Sequence, residues 1–263
     1  MKQNYELKKH AMTSGYDTII WGASLKGLKK AIELKQQGKN VLVAGKFGFP
    51  GGQVTESLAA LFEADIFSNK GFCDEILNRV KKINNGLLFQ NRQWVLMHPE
   101  AVKRVCWELI AEHDIPLLFH VTPLSVQEES GLVDLELFGR EGSIKLTAGS
   151  FIDLSDNGFL IEQHQLSEKY RVTINAFFTN PLPFELPGFR IIHRFDTPIG
   201  IYVSHSIRNV VYTEIETVFN RELDRLSRET WRKYKARILM VPVYPEILAE
   251  QNATERHHTG MSL

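Results

Sequence analysis

A short loop, Gly22-Ala-Ser-Leu-Lys-Gly27, has the residue types and spacing to bind a phosphate group. It follows an apolar run and precedes a stretch with helical periodicity, so it is predicted to join a strand to a helix. The N–H groups at the start of a helix and the helix dipole together favour an anion. Serine stands at the middle position of the loop, and its hydroxyl can donate to a phosphate oxygen. The sequence therefore predicts a phosphate-binding loop that contains Ser24.

The elements that position this loop form a strand–helix–strand unit. Residues 17–21 are a short apolar run, as expected of a buried parallel strand. Apolar residues recur at helical spacing from Leu25, and Gly38 is typical of the position after a helix C-terminus. Residues 40–44 predict a second strand. The unit has the length of about 30 residues that a parallel βαβ unit needs.

The chain then passes through a glycine-rich turn at 46–52 and three predicted helices, at 53–61, 72–82 and 99–114. A small antiparallel meander is predicted next. Its short strands are expected at 116–121, 124–127, 132–138 and 143–147. A buried strand at 150–154 follows and ends in a polar corner.

After about residue 168 the predicted strands are longer and half-polar, which indicates a second sheet. These strands are expected at 170–175, 189–193 and 200–204. A long helix at 214–235 is predicted to pack Phe219, Leu223 and Leu226 inward. Little pattern is visible in 242–263.

The charge pattern argues against several classes of partner. The chain has 263 residues, with 31 Lys and Arg balancing 31 Asp and Glu. Because these charges are dispersed, no nucleic acid or acidic membrane surface is expected as a partner. No apolar run approaches the ~20 residues of a membrane span. Residues 1–16 lack the apolar core of a secretory signal, so we expect a cytoplasmic protein.

Neither the cysteines nor the histidines indicate a metal site. Cys73 and Cys106 lack ligand spacing and are predicted to be buried free thiols. The adjacent histidines at 257–258 and the residues Glu162 and His164 also lack the spacing of a zinc site. We therefore predict that the chain binds no metal.

In this order of elements the chain resembles the FAD-dependent oxidoreductases of the two-dinucleotide-fold flavoprotein class. The most specific match is Phe47-Gly-Phe-Pro-Gly-Gly52, which is similar to the family's Tyr-Gly-Phe-Leu-Gly-Gly turn. Residues 151–158 are similar to its Phe-Ile-Asp-Ala-Thr-Gly-Asp-Gly corner. A weaker similarity links 253–256 to its Arg-Glu-Thr-Arg segment. The resemblance covers 16–160 well and 205–263 loosely.

The resemblance implies a site for FAD. The loop at 22–27 would bind the pyrophosphate, the turn at Gly51 and Gly52 would lie near the flavin, and the backbone around Leu124 would contact adenine. The implied cofactor-binding residues are Gly22, Ser24, Leu25, Gly27, Gly45, Lys46, Gly51, Gly52, Leu124, Ser155 and Asp156.

Several departures from the family pattern weaken this expected site. Ser24 replaces the glycine that faces the ligand, and Gly45 replaces the acidic residue that binds the ribose. Lys46 leaves open a 2′-phosphate and therefore NADP. Asp156 replaces a glycine close to the cofactor, and no late Gly-Asp segment follows Thr197. A total loss of about 5 kcal/mol would weaken binding roughly 10³–10⁴-fold, so we expect weak or absent FAD binding.

The sequence therefore predicts an α/β fold. It comprises a Rossmann-like parallel sheet that binds FAD or NAD(P), an inserted antiparallel meander and a second β-rich region. The expected divisions are a polar segment at 1–15, a dinucleotide-binding domain at 16–167, and a substrate-type region with a long helix at 168–263. One hypothesis is hydride transfer to or from a flavin, with a small-molecule substrate. The other is a non-catalytic, truncated relative that acts as a subunit or binding module with a partner protein chain.

Overall fold

The computed structural model describes residues 15–68, 71–156 and 169–249. The predictions for residues 157–158, 162–164 and 253–260 concern positions outside these ranges. The helices are α1 (Leu25–Gln36), α2 (Gln53–Glu56), α3 (Phe72–Lys81), α4 (Pro99–Glu112) and α5 (Ile215–Tyr234). The strands are β1 (Thr18–Trp21), β2 (Val41–Gly45), β3 (Leu61–Glu63), β4 (Leu87–Gln90), β5 (Trp94–Met97), β6 (Leu117–Phe119), β7 (Thr122–Glu129), β8 (Leu132–Gly139), β9 (Gly142–Ala148), β10 (Phe151–Asp153), β11 (Tyr170–Phe178), β12 (Ile191–Thr197), β13 (Gly200–Val210), β14 (Ile238–Met240) and β15 (Glu246–Ala249).

A parallel sheet with strand order β10-β1-β2-β6 carries the predicted loop. Ile20 in β1 pairs with Val43 of β2 on one side and Ile152 of β10 on the other. Every residue of β1 and β2 is buried, which explains their continuous apolar sequences. The predicted strand–helix–strand unit is confirmed.

Helix α1 begins and ends where the sequence predicts. Ser24 caps its N-terminus, and Gly38 has a φ of 78° just beyond its C-terminal cap. Leu28, Ala31 and Ile32 are buried on one face. This face packs into a core shared with α3 and α4, and Phe177 and Tyr202 of the second sheet belong to the same core.

The segment between α1 and the meander differs from the prediction in two places. The predicted helix at 53–61 is confined to α2, because the chain turns at Leu58, which has a φ of 51°, and continues into β3. Strands β3, β5 and β4 then form a small antiparallel sheet that the sequence analysis missed. Helices α3 and α4 match their predictions. Cys106 in α4 is buried as expected, but Cys73 in α3 is only partly buried.

The meander consists of β7, β8 and β9, which pair in antiparallel order. The prediction that 116–121 belongs to it was wrong. That segment forms β6, which pairs in parallel with β2 and extends the first sheet. The run 117–119 is apolar like a parallel strand, and only its pairing separates the two assignments.

The second sheet has the order β12-β13-β11-β14, and β15 also pairs with β11. Helix α5 covers it with Phe219, Leu223 and Leu226, as predicted. The sequence shows little pattern from residue 242 onwards, so no strand was predicted for residues 246–249. They form β15, which pairs Glu246 with Thr173. A four-residue strand gives too little periodicity to be recognised from sequence.

Candidate functional site

The loop after β1 depends on glycine because its backbone lies against two other segments. Gly22 has a φ of 104°, and a Cβ there would overlap the backbone at Leu154 and Ser155. A Cβ at Gly27 would overlap the carbonyl oxygen of Gly22. Strand, loop and helix therefore approach one another more closely than any side chain allows.

Ser24 lies in the middle of this loop and is 1% exposed. Its Oγ accepts the N–H of Gly27 at 3.1 Å and thereby caps α1. The same hydroxyl donates to the carbonyl oxygen of Leu154 at 2.7 Å. Because a hydroxyl has one proton, the donor that the sequence analysis offered to a phosphate already has a partner in this structure.

The glycine-rich turn packs directly against this loop. The N–H of Gly51 donates to the carbonyl oxygen of Ala23 at 2.7 Å. Gly51 and Gly52 have φ values of 114° and 57°, and a Cβ at Gly52 would lie 2.8 Å from the Cβ of Ser24. Both positions therefore require glycine.

Asp156 reaches this turn from the corner after β10. Its Oδ2 accepts the N–H of Gln53, the first residue of α2, at 2.7 Å. Burial raises the pKa of Asp156, and this effect is opposed by the Gln53 N–H and by the charge of Lys26. A carboxylate therefore lies at the junction of the two glycine-containing segments.

These segments surround a cavity of about 180 Å³ at the carboxyl ends of β1 and β2. Such an edge is where open parallel sheets bind ligands. The cavity is lined by Trp21, Gly22, Ala23, Ser24, Gly45, Lys46, Phe47, Phe49, Gly52, Glu56, Thr122, Pro123, Ser155, Asp156, Tyr212 and Tyr244.

Aromatic rings and one cation form the outer part of this cavity. The Nζ of Lys46 lies 5.0 Å from the ring centroid of Tyr244 and 5.7 Å from that of Phe47. The two rings are 6.0 Å apart. The N–H groups of Val243 and Tyr244 donate to the carbonyl oxygen of Glu56, which holds this part of the chain beside the cavity.

Glu56 contributes a carboxyl group with an unusual affinity for its proton. Its pKa is raised from 4.5 to about 8, first by burial and also by the nearby Asp156, while the charge of Lys46 has the opposite effect. Glu56 is therefore mostly protonated at neutral pH. The sequence analysis missed this residue, although it lies only four positions after Gly52 and could have been examined as part of the same turn.

The structure brings seven of the eleven sequence-predicted residues together around this cavity. They are Gly22, Ser24, Gly45, Lys46, Gly52, Ser155 and Asp156. Leu25 and Gly51 instead line a neighbouring cavity of about 300 Å³. Gly27 packs beneath the loop.

Leu124 does not line the cavity and is 52% exposed on β7, but its neighbours Thr122 and Pro123 do line it. Tyr212 and Tyr244 also contribute, and they are remote in sequence, so no local pattern could have identified them. Across residues 15–68, 71–156 and 169–249, no group of three or more His, Cys, Asp or Glu side chains could hold a metal ion.

Within residues 15–68, 71–156 and 169–249, no helix combines the length and the apolar character that crossing a membrane requires.

The solved structures that match this fold include hydroxylases, a monooxygenase and a flavoprotein by name. CabE, an aromatic hydroxylase from angucycline biosynthesis, matches with a TM-score of 0.59 and 14% identity over 90% of this chain and 53% of its own. The p-nitrophenol 4-monooxygenase PnpA from Pseudomonas putida gives 0.57 and 12%, over 89% and 67%. Aklavinone-11 hydroxylase, solved with FAD and aklavinone, gives 0.54 and 14%, over 88% and 53%.

At these identities the likeness establishes the fold alone, and it confirms the predicted α/β class. The chain spans about half the length of CabE, 53%. No curated protein matches its sequence. The FAD-dependent oxidoreductase family, however, matches residues 17–238, which is most of the chain. The chain therefore belongs to the FAD-dependent oxidoreductase family, as the sequence motifs predict.

Proposed function

We propose that the chain binds FAD, with its adenosine end in the cavity at the carboxyl ends of β1 and β2, and forms the FAD-binding part of an oxidoreductase. The observation that carries this proposal is the convergence of the Gly22–Ser24 loop, Gly45 and Gly52 around one cavity. We also propose the region 16–167 as the dinucleotide-binding domain and 168–263 as the substrate-type region. Family membership supports both assignments.

The residues present fit the adenosine end of FAD. Gly45 and Lys46 at the end of β2, with Thr122 and Pro123 of β7, form the side of the cavity that the family resemblance assigns to ribose and adenine. Gly45 lines the cavity, and a Cβ at this position would lie 3.3 Å from the Phe119 ring, so a larger residue requires that ring to shift slightly.

The charges in the cavity suit a diphosphate at neutral pH. Lys46 supplies a cation, and the N-terminus of α1 supplies the positive end of a helix dipole. Because the pKa of Glu56 is about 8, its carboxyl keeps its proton at pH 7 and adds little negative charge. Asp156 is the group in the cavity that disfavours an anion.

Bound FAD would supply two-electron chemistry, accepting or donating a hydride. The chain's own residues would hold its adenosine end and shield it from water with the rings of Phe47 and Tyr244. We propose a small-molecule substrate for the reaction. This is supported by the structure of aklavinone-11 hydroxylase, whose complex contains FAD and aklavinone.

FAD titration of the purified protein tests the proposal. The absorption spectrum is recorded first, and apoprotein is then titrated with FAD while flavin fluorescence anisotropy is measured. We expect saturable binding with a Kd of about micromolar, since a loss of several kcal/mol from a tight site gives this range. AMP should compete for the same site.

The other outcomes have distinct meanings. A colourless protein that shows no saturable binding at millimolar FAD would contradict the proposed function and favour a non-catalytic subunit or binding module. Stoichiometric FAD retained through gel filtration would support the function and contradict the expectation of weak binding.

A further inference from the structure

The carboxylate of Asp156 occupies a position that separates two cavities. Asp156 and Ser155 line both the cavity beside Gly45 and the neighbouring cavity beside Gly51. The first measures about 180 Å³ and the second about 300 Å³. Pockets for ligands of drug size usually measure ~300–1,000 Å³. The first cavity alone is therefore too small for a whole dinucleotide, whereas the two together are within this range.

Asp156 is held in place by the turn that it covers. Its Oδ2 accepts the N–H of Gln53 at 2.7 Å and lies so close to Gly52 that a Cβ there would overlap it. A ligand oxygen that approached the Gln53 N–H would have to displace this carboxylate. The carboxylate thus competes with an anionic ligand for the same donor.

The other charged groups around Asp156 do not remove this conflict. Lys26 of α1 is the cation that interacts with it. Two further carboxyl groups, Glu56 of α2 and Glu246 of β15, interact with it unfavourably. Neither carboxyl group supplies the positive charge that would stabilise a second anion beside Asp156.

We propose that Asp156 determines nucleotide specificity in this chain by weakening FAD binding relative to the binding of AMP. AMP ends at its single phosphate, whereas FAD is longer and, with its adenosine end in the first cavity, must extend past Asp156 into the second. FAD binding therefore requires the carboxylate to leave the Gln53 N–H. This inference rests on the proposed function and goes beyond it by naming the residue that limits cofactor affinity.

Parallel titrations of the full chain with AMP and FAD test the inference. The variants are Asp156→Gly, which removes charge and bulk, and Asp156→Asn, which removes the charge alone. The matched control is Asp134→Asn. Asp134 also accepts one hydrogen bond, from Thr147 Oγ1 at 2.7 Å, but lies exposed on the meander. Circular dichroism and thermal melts check that each variant folds.

We expect Asp156→Gly to tighten FAD binding about a hundredfold, equivalent to about 2.7 kcal/mol. Asp156→Asn should give an intermediate gain. Because Asp156 also lines the first cavity, AMP affinity should rise in both Asp156 variants, but by less than about tenfold (~1.4 kcal/mol), since AMP does not reach past Asp156. The Asp134→Asn control should match the wild-type chain for both ligands.

Equal FAD affinity in the wild-type chain and both Asp156 variants, with AMP binding intact, would overturn this inference and leave the proposed function standing. A comparable gain for AMP and FAD would also overturn it, because the effect would then not depend on ligand length. Absence of binding for both nucleotides in every folded variant would instead refute the proposed function. If Asp156→Gly failed to fold, the Asp156→Asn comparison would decide by the same criteria.

Discussion

The raised pKa of Glu56 makes a quantitative prediction about stability. The substitution Glu56→Gln keeps the size of the side chain and its backbone contacts with Val243 and Tyr244, but it removes the proton equilibrium. The folded-state pKa is about 8, compared with an ordinary value of 4.5. Folding of the wild-type chain between these pH values must therefore be accompanied by uptake of a proton.

The sign and size of the effect follow from proton linkage. Since the folded state binds the proton more tightly, the unfolding free energy decreases as pH rises from about 4.5 to about 8. The stabilisation that comes from the protonated Glu56 carboxyl is fully present below about pH 4.5 and is lost above about pH 8. At about 1.4 kcal/mol per pH unit, the wild-type chain should lose ~3 kcal/mol by pH 7 and ~5 kcal/mol by pH 9.

The unfolding free energy can be measured by urea denaturation at pH 5, 7 and 9, followed by tryptophan fluorescence. The stability difference between Glu56→Gln and the wild-type chain should grow by about 4 kcal/mol in favour of the variant between pH 5 and pH 9. Glu129→Gln, at an exposed position of β7, is the control and should show no such growth. Parallel pH dependence for Glu56→Gln and the wild-type chain would refute the reasoning.

Three further substitutions test the loop after β1 and the adjoining end of β2. Gly27→Ala should destabilise the chain by about 3 kcal/mol, because its Cβ would overlap the Gly22 carbonyl oxygen; Gly15→Ala, with open space around it, should change stability by less than about 0.5 kcal/mol in the same urea experiment. Ser24→Ala should cost about 1–2 kcal/mol through loss of the helix cap, and an unchanged urea midpoint would contradict the observed hydrogen bonds. Gly45→Glu should tighten FAD binding about tenfold in the fluorescence titration by restoring a ribose partner, and an equal gain for Gly45→Gln would show that charge is not responsible.

The strand–helix–strand unit could be predicted from sequence because its signals are local. The apolar run of β1, the helical spacing of apolar residues from Leu25 and the glycine after α1 each specify a boundary within a few residues. The length of α5 made its periodicity equally clear. Segments 53–61 and 116–121 were assigned wrongly because their pairing with distant strands, and not their own composition, decides their structure.

Part of the candidate site could also be predicted, because some of its residues belong to local sequence motifs. Gly22, Gly45 and Gly52 lie in or beside recognisable motifs, so their residue types indicated their position near a cavity. Tyr212 and Tyr244 reach the cavity only through the path of the second sheet and the segment after β14, which no local pattern encodes. The acceptor of the Ser24 hydroxyl could not be predicted either, since Leu154 is 130 residues away in the chain.

A crystal structure of the wild-type chain grown with saturating FAD would show where the cofactor binds. We expect adenine and ribose density between Lys46 and Pro123, with the carboxylate of Asp156 displaced from the Gln53 N–H. Density for the adenosine end in another part of the molecule, with this cavity still closed by Asp156, would contradict this expectation.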